Sequence, residues 1–224
     1  MLHFYLLLSV TLAFDALLLL FLVWAFHAPR FAKNRIEAGA SMKVPFGARI
    51  RNVTVSSLLS LAAVLGSTYF FAGALFHDGA TSLGAKAGQA IGILLVYDFA
   101  YYALHRTMHI KKVMRFVHGV HHKARNPSAL ESFYLHPAEL LAGLTLLMTS
   151  TWLIGPVHVH AFLAAFFVYS TLNIVIHSGL EFRRTLLWPI DFLTKKHHVH
   201  HAKDFGKNFS SLTPLPDFLF GTTG

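Results

Sequence analysis

The chain has no cysteine. That excludes disulfides, thiolate metal sites and a cysteine nucleophile. Charge is scarce as well. Only 13% of the 224 residues are charged while 54% are hydrophobic, and a soluble domain of this size carries about twice that charge. Acids are the scarcer sign, 10 against 19 Lys and Arg, for a net charge of +9. Proline is low, and there is no low-complexity tract or internal repeat. Two metal-site patterns are also missing: His-Glu-x-x-His, which marks zinc proteases, and Glu-x-x-His, which marks carboxylate-rich di-iron bundles.

What is present is apolar length. Five stretches stand out: Leu2 to Phe26, Val53 to Phe76, about Gln89 to Leu104, Ala138 to Ile154, and about Val157 to Ile176. A membrane span needs ~20 apolar residues. The first two qualify, and the third is short. The last two are separated only by Gly155-Pro156, as a tight pair of spans or a re-entrant pair. The first stretch has no positive n-region and no small-residue cleavage site after it, so it reads as a span and not as a signal peptide.

It is followed by Arg30, Lys33, Arg35, Lys43, Arg49 and Arg51. The positive-inside rule makes that loop cytoplasmic and puts the N-terminus outside. Counting spans from there, every Lys and Arg but Lys86 falls on the inner side. The positive charge is thus explained by a membrane surface and does not call for a nucleic acid partner. The expected architecture is an all-α integral membrane protein. It has four to five transmembrane or re-entrant helices and a cytoplasmic helical cap. Residues 1–88 form an N-terminal transmembrane hairpin and 89–224 a catalytic domain. Asp15 lies inside the first span. Intramembrane acids are functional candidates by default, and the plainer reading is a helix–helix polar contact or a local water site. Gly66 and Gly73 suggest close helix packing.

The third presence is histidine, 16 in all. His105 and His109 end the third span as "HRTMH". His118, His121 and His122 follow as "HGVHH". His197, His198, His200 and His201 form "HHVHH" after the fifth span. The topology places all three clusters on one face. On a helix, positions i, i+3 and i+4 share a side, so eight imidazoles (His105, His109, His118, His121, His122, His197, His200 and His201) can converge, with His198 at the edge of the arc. A lone histidine is more often structural than a ligand; three periodic clusters on one face are a different matter. One zinc takes at most four ligands. Eight suffice for two metals with open positions, and imidazole suits Zn, Cu, Fe and Ni.

With these residues in hand, the chain resembles the fatty acid hydroxylase/sterol desaturase superfamily. The resemblance rests on "DFAYYALHRTMH" (98–109), on "HGVHH", and on "HHVHHAKDFGKNFSSLTPLPDFLFGT" (197–222). It covers roughly residues 90–222. Pro216 stands where the family often has an aromatic. The resemblance implies an O2-dependent enzyme with two iron ions that hydroxylates or desaturates a membrane lipid. It also implies a separate electron donor, cytochrome b5-like or ferredoxin-like. It assigns the eight histidines as catalytic iron ligands and adds His136 ("LHPAE") and His177 ("NIVIHSG") as candidates; His198 is an alternative ligand. Asp98, Asn173, Glu131, Glu139 and Asp204 are candidates for orienting the rings. Basic residues around the clusters, Lys203 among them, suit anionic headgroups or an acidic electron carrier.

Two rivals remain: a membrane metal-binding or transport protein, and a zinc-dependent lipid hydrolase. A transporter needs ligands near mid-membrane, whereas these gather at one end. The lipid, the carbon attacked and the oligomeric state are not written in the sequence. Compact size and the lack of a retention signal point to a bacterial inner membrane.

Overall fold

The computed structural model describes residues 1–37, 41–42, 44–202 and 204–224; Lys43 and Lys203 lie outside the described residues. In chain order the helices are α1 (Leu2–His27), α2 (Phe46–Phe70), α3 (Ala72–Leu75), α4 (Leu83–Met108), α5 (Lys111–Phe116), α6 (Pro137–Ile154), α7 (Val159–Ile176), α8 (Trp188–Ala202) and α9 (Leu215–Leu219). Five of them, α1, α2, α4, α6 and α7, are long and apolar enough to cross a membrane. The protein is a multi-pass, all-α membrane protein with only short strand pairs. Ser41–Met42 pairs with Ala124–Asn126, and Phe76–His77 pairs with Val157–His158.

Local chemistry sets the helix ends. Ser82 caps α4 by accepting from Ala85 N at 3.2 Å. That start lies six residues before the apolar run, because nothing in Leu83–Gly88 breaks a helix. Pro45 precedes α2, so Arg49 and Arg51 ride on its first turns and are not loop residues. Pro137 opens α6, where its missing N–H costs nothing. Gly155, at φ +101, ends it. At 18 residues each, α6 and α7 are about 27 Å long, close to the ~30 Å hydrocarbon core. Each is therefore long enough to cross by itself.

The helices pack in the order α1, α7, α4, α6, α2. The first two helices do not close on each other as a hairpin: α1 packs on α7, α2 packs on α6, and little direct contact joins α1 to α2. Gly66 and Gly73 are not at a close helix contact, since a methyl group at either would meet nothing within 4 Å. At one end of the bundle, Phe76 packs its ring at a tilt 5.3 Å from Phe4 and 4.9 Å from Phe162. At the opposite end, α5, α8, α9 and the intervening loops form a cap over the C-termini of α4 and α7 and the N-terminus of α6.

Candidate metal centre

Nine histidines meet beneath that cap in two groups. The first holds His105, His109, His118, His122 and His200; the second holds His121, His177, His197 and His201. Within each group one donor atom per residue lies within 4.8 Å of every other. Among the described residues both groups contain histidine only. The split follows helical spacing. Each i, i+4 pair stays together: His105 with His109, His118 with His122, His197 with His201. The i+3 member of each triplet, His121 or His200, crosses to the other group. The two groups therefore share walls, and the rings of His122 and His201 stack at 4.5 Å.

A central ring organises each group. His118 Nε2 lies 3.0 Å from both His105 Nε2 and His122 Nε2. His177 Nε2 lies 3.1 Å from His121 Nε2 and 2.9 Å from His197 Nε2. The outer nitrogens decide what these contacts mean. His105 Nδ1 donates to the Phe209 carbonyl at 2.7 Å and His118 Nδ1 to Glu139 Oε1 at 2.8 Å. His121 Nδ1 donates to Tyr134 O and His177 Nδ1 to Asn173 O. His200 and His201 donate to Lys207 O and Ala124 O. A carbonyl or carboxylate only accepts, so each Nδ1 carries the proton and each Nε2 presents a lone pair.

In the pairs His105–His118 and His121–His177, two lone pairs thus face each other at about hydrogen-bond distance with no proton between them. Such an arrangement suits a cation placed between them. Nitrogens bound about 2.0–2.1 Å from one metal and at right angles stand about 3 Å apart, as these do. His109 Nε2, His200 Nε2 and His201 Nε2 are also buried without a hydrogen-bond partner among the described residues. The residues present fit a metal in each group.

Burial keeps the rings neutral, the form that ligates. It brings His118 and His121 down to about 3 and, aided by the neighbouring His118, His109 and His177 to about 4. Phe205 lies 4.9 Å from the His122 ring and Phe209 5.2 Å from that of His109, so aromatic surface covers the outer side.

The carbonyls that receive His105 and His200 lie on the loop after α8, and buried charge pins that loop. Lys196 Nζ donates to Ser210 O at 2.6 Å and pairs with Asp217 Oδ2 at 2.8 Å. Asp217 accepts from the backbone of Phe209 and Ser210. Burial pushes the Asp217 carboxyl up, but Lys196 and the Ser210 hydrogen bonds outweigh it and hold the group below its ordinary value. Pro216 fits without disruption, in the first turn of α9. Asn208 adopts φ +60 and its side chain donates to Lys196 O at 3.1 Å. On the other side, Gly179 at φ +65 turns the chain after His177. A Cβ there would come within 2.5 Å of Pro127 O.

The structure sets other expected residues apart. His136 lies outside both groups, its Nδ1 accepting from Ala138 N as the cap of α6. His198 is buried 3.4 Å from Glu37 instead, because its place on α8 points it away from both groups. Asp98 does not touch a ring. Its carboxyl accepts from Leu212 N at 2.9 Å and from Thr213 N and Oγ1 at 3.0 and 2.6 Å, and so clamps the pinned loop. Asn173 serves His177 through its backbone carbonyl, not its side chain. Exposed Asp204 closes a turn with Gly206 N, and Glu131 pairs with Arg49 at 2.7 Å. Glu139 does orient a ring. The backbone acceptors went unpredicted, since a carbonyl carries no sequence signal. The Lys196–Asp217 pair was missed too, because each residue is ordinary by itself.

A cavity of about 380 Å³ runs from mid-bundle to the second histidine group. Leu12 and Asp15 of α1, Leu61 and Val64 of α2, Tyr97 and Tyr101 of α4, Leu144 of α6 and Phe166 and Tyr169 of α7 line it, and it ends at His121, His177 and Glu139.

Fold and site together define a helical membrane protein with a buried, all-histidine, two-group cradle suited to metal, one group of which borders an apolar cavity. The chain belongs to the fatty acid hydroxylase family, whose model matches residues 90–222. It is 30% identical over 139 residues to methylsterol monooxygenase 1 of Rattus norvegicus, covering 60% of this chain and 46% of the relative. It is 32% identical over 145 residues to the very-long-chain aldehyde decarbonylase GL1-8 of Oryza sativa subsp. indica, covering 60% and 51%. It is 29% identical over 144 residues to methylsterol monooxygenase 2-2 of Arabidopsis thaliana, covering 61% and 52%. The chain spans about half the length of these curated relatives. No solved structure matches it significantly.

Proposed function

We propose that this chain is an O2-dependent, di-iron membrane enzyme that hydroxylates or desaturates a lipid alkyl chain. A separate electron-transfer protein supplies its electrons, and the histidine cap faces the cytoplasm. The observation that carries the reading is the pair of histidine groups, lone pairs inward, the second of them at one end of an apolar cavity. His105, His109, His118, His122 and His200 would hold one iron; His121, His177, His197 and His201 would hold the other. Bound iron supplies the redox chemistry needed to break an unactivated C–H bond, which side chains alone lack.

The chain does the rest. The carbonyls and Glu139 fix the tautomer and angle of six rings. Phe205 and Phe209 limit water. The cavity walls lay an alkyl chain against His121 and His177, and the loosely joined α1 and α2 offer it a way in from the bilayer. Family membership supports the reading, as do the names of the relatives, a methylsterol monooxygenase and a very-long-chain aldehyde decarbonylase.

The test is the metal content of detergent-purified protein from iron-supplemented cells, wild type beside a His200→Ala/His201→Ala double variant. Two irons per chain, lost in the variant, are expected, followed by an added oxygen or double bond in the lipids of expressing cells. One zinc and no iron would bring the zinc hydrolase or metal-handling reading forward.

A further inference from the structure

Serines, tyrosines and Asn173 add polar atoms to the cavity lining, but among the described residues Asp15 is the one carboxyl there besides Glu139, which backs His118. Asp15 is 6% exposed and lines the cavity wall half-way along α1. Its Oδ1 accepts from Thr171 Oγ1 at 2.8 Å, which ties α1 to α7. That is the helix–helix contact expected of a polar residue in a span. Among the described residues its Oδ2 makes no hydrogen bond of ordinary geometry, although the Ser170 hydroxyl is near enough to favour the carboxylate. The adjoining Ser170 hydroxyl donates to Phe166 O at 2.8 Å and adds a second polar atom beside the carboxyl. A buried acceptor left unmade costs about 1–3 kcal/mol, more for a charged group. Helix pairing needs only one carboxylate oxygen, so the second is surplus to it.

The geometry points to Asp15 as the anchor for a hydrogen-bond donor on the lipid, a hydroxyl group, and so to a lipid alcohol as the substrate class. This rests on the lipid-oxidising reading and deepens it. A hydroxyl fits better than the alternatives. An ammonium group would pair with the carboxylate, but stripping its water in an apolar cavity can cost more than that single pairing returns. An amide would bring a carbonyl that also needs a donor, and the Thr171 and Ser170 hydroxyls are already committed. Thr171 lies six residues before His177 on the same helix, about 9 Å along its axis. A hydroxyl held at Asp15 therefore fixes how far along the molecule a carbon must lie to reach the histidine groups. Asp15 is a positioning residue: it selects substrate and carbon and takes no part in bond breaking.

The experiment is native mass spectrometry of the detergent-solubilised full chain, metal-free and iron-loaded, titrated with 1-hexadecanol and with hexadecyl methyl ether. The ether keeps the alkyl chain and removes the donor. Wild type should retain the alcohol about tenfold or more over the ether, the discrimination expected of a hydrogen bond to a charged group. Asp15→Asn keeps an acceptor for Thr171 but replaces the free oxygen by an amine, and should erase the preference. Thr171→Val cuts the helix tie alone and should keep it. Equal retention of alcohol and ether by wild type overturns the proposal even if Asp15→Asn does not fold, as does an unchanged preference in a folded Asp15→Asn. Because binding is read without turnover, a chain that discriminates but binds no iron sinks the oxygenase reading and leaves the anchor standing.

Discussion

Histidines gather at both ends of this bundle, and among the described residues only one end brings its donor atoms together as metal ligands would stand. At the end away from the cap His3, His77, His158 and His160 stand with ring centroids 4.9 to 5.7 Å apart, much as the rings beneath the cap do. The difference lies in the second nitrogen. Six of the nine clustered rings donate through Nδ1 to a backbone carbonyl or to Glu139, and several aim bare Nε2 atoms at one another. At the other end His158 Nδ1 accepts from His160 N at 3.1 Å, which leaves its neutral ring with the proton on Nε2. No histidine there joins a converging group among the described residues. Number and proximity do not make a metal site; the hydrogen bond behind each ring does.

The comparison breaks most sharply with one substitution at each end. His200→Ala should abolish iron retention, because it removes a ligand and opens the wall shared by the two groups; His160→Ala should leave retention unchanged by metal analysis. Next in size is Lys196→Met. It strands the Asp217 carboxylate in a buried site, so about 3–5 kcal/mol of stability should be lost, seen as a lower unfolding midpoint in detergent. Iron should go with it, because the pinned loop carries the acceptors for His105 and His200.

A smaller effect tests the backing hydrogen bond directly. Glu139→Leu should cost about 10- to 100-fold in metal affinity while the ligands stay in place, and Glu139→Gln should cost less because an amide oxygen still accepts from His118. Smaller again is a pH effect on metal-free protein. His109, His118, His121 and His177 have folded values depressed from 6.5 to about 3 to 4. Between those values the unfolded chain binds more protons than the folded one, so stability rises with pH there. It should be full above about pH 6.5 and fall steadily toward pH 4. Iron should leave the upper part of that slope unchanged, where the folded rings are already unprotonated, and extend it below about pH 4, where protons compete with metal. Least of all, His158→Ala should shift the unfolding midpoint only modestly, its cost being that of a helix cap.

The five spans and the three clusters were legible because apolar length and i, i+4 spacing are properties of residues. So was the shared face, which follows from counting spans from the Arg30–Arg35 charges. The crossing of His121 and His200 between groups was not. Spacing puts i, i+3 and i+4 on one broad side, but it does not say that two centres share that side, with His121 and His200 each facing the one opposite the rest of its triplet. Asp98 was noticed for its place two turns before His105, yet it acts on a loop more than 110 residues away in the chain, a contact no local spacing encodes. The backing acceptors are mostly carbonyls, which every residue possesses, so their selection is written only in the fold.

The weak contact between α1 and α2 has a consequence for how this protein meets anything greasy. A molecule that slips in sideways between two helices never enters bulk water. Its relevant dose is its mole fraction in the surrounding bilayer, and concentrations per litre will describe occupancy poorly. By the same route, the alkyl tail of a solubilising detergent becomes a competitor. Its chain length should then set how much of the cavity is free.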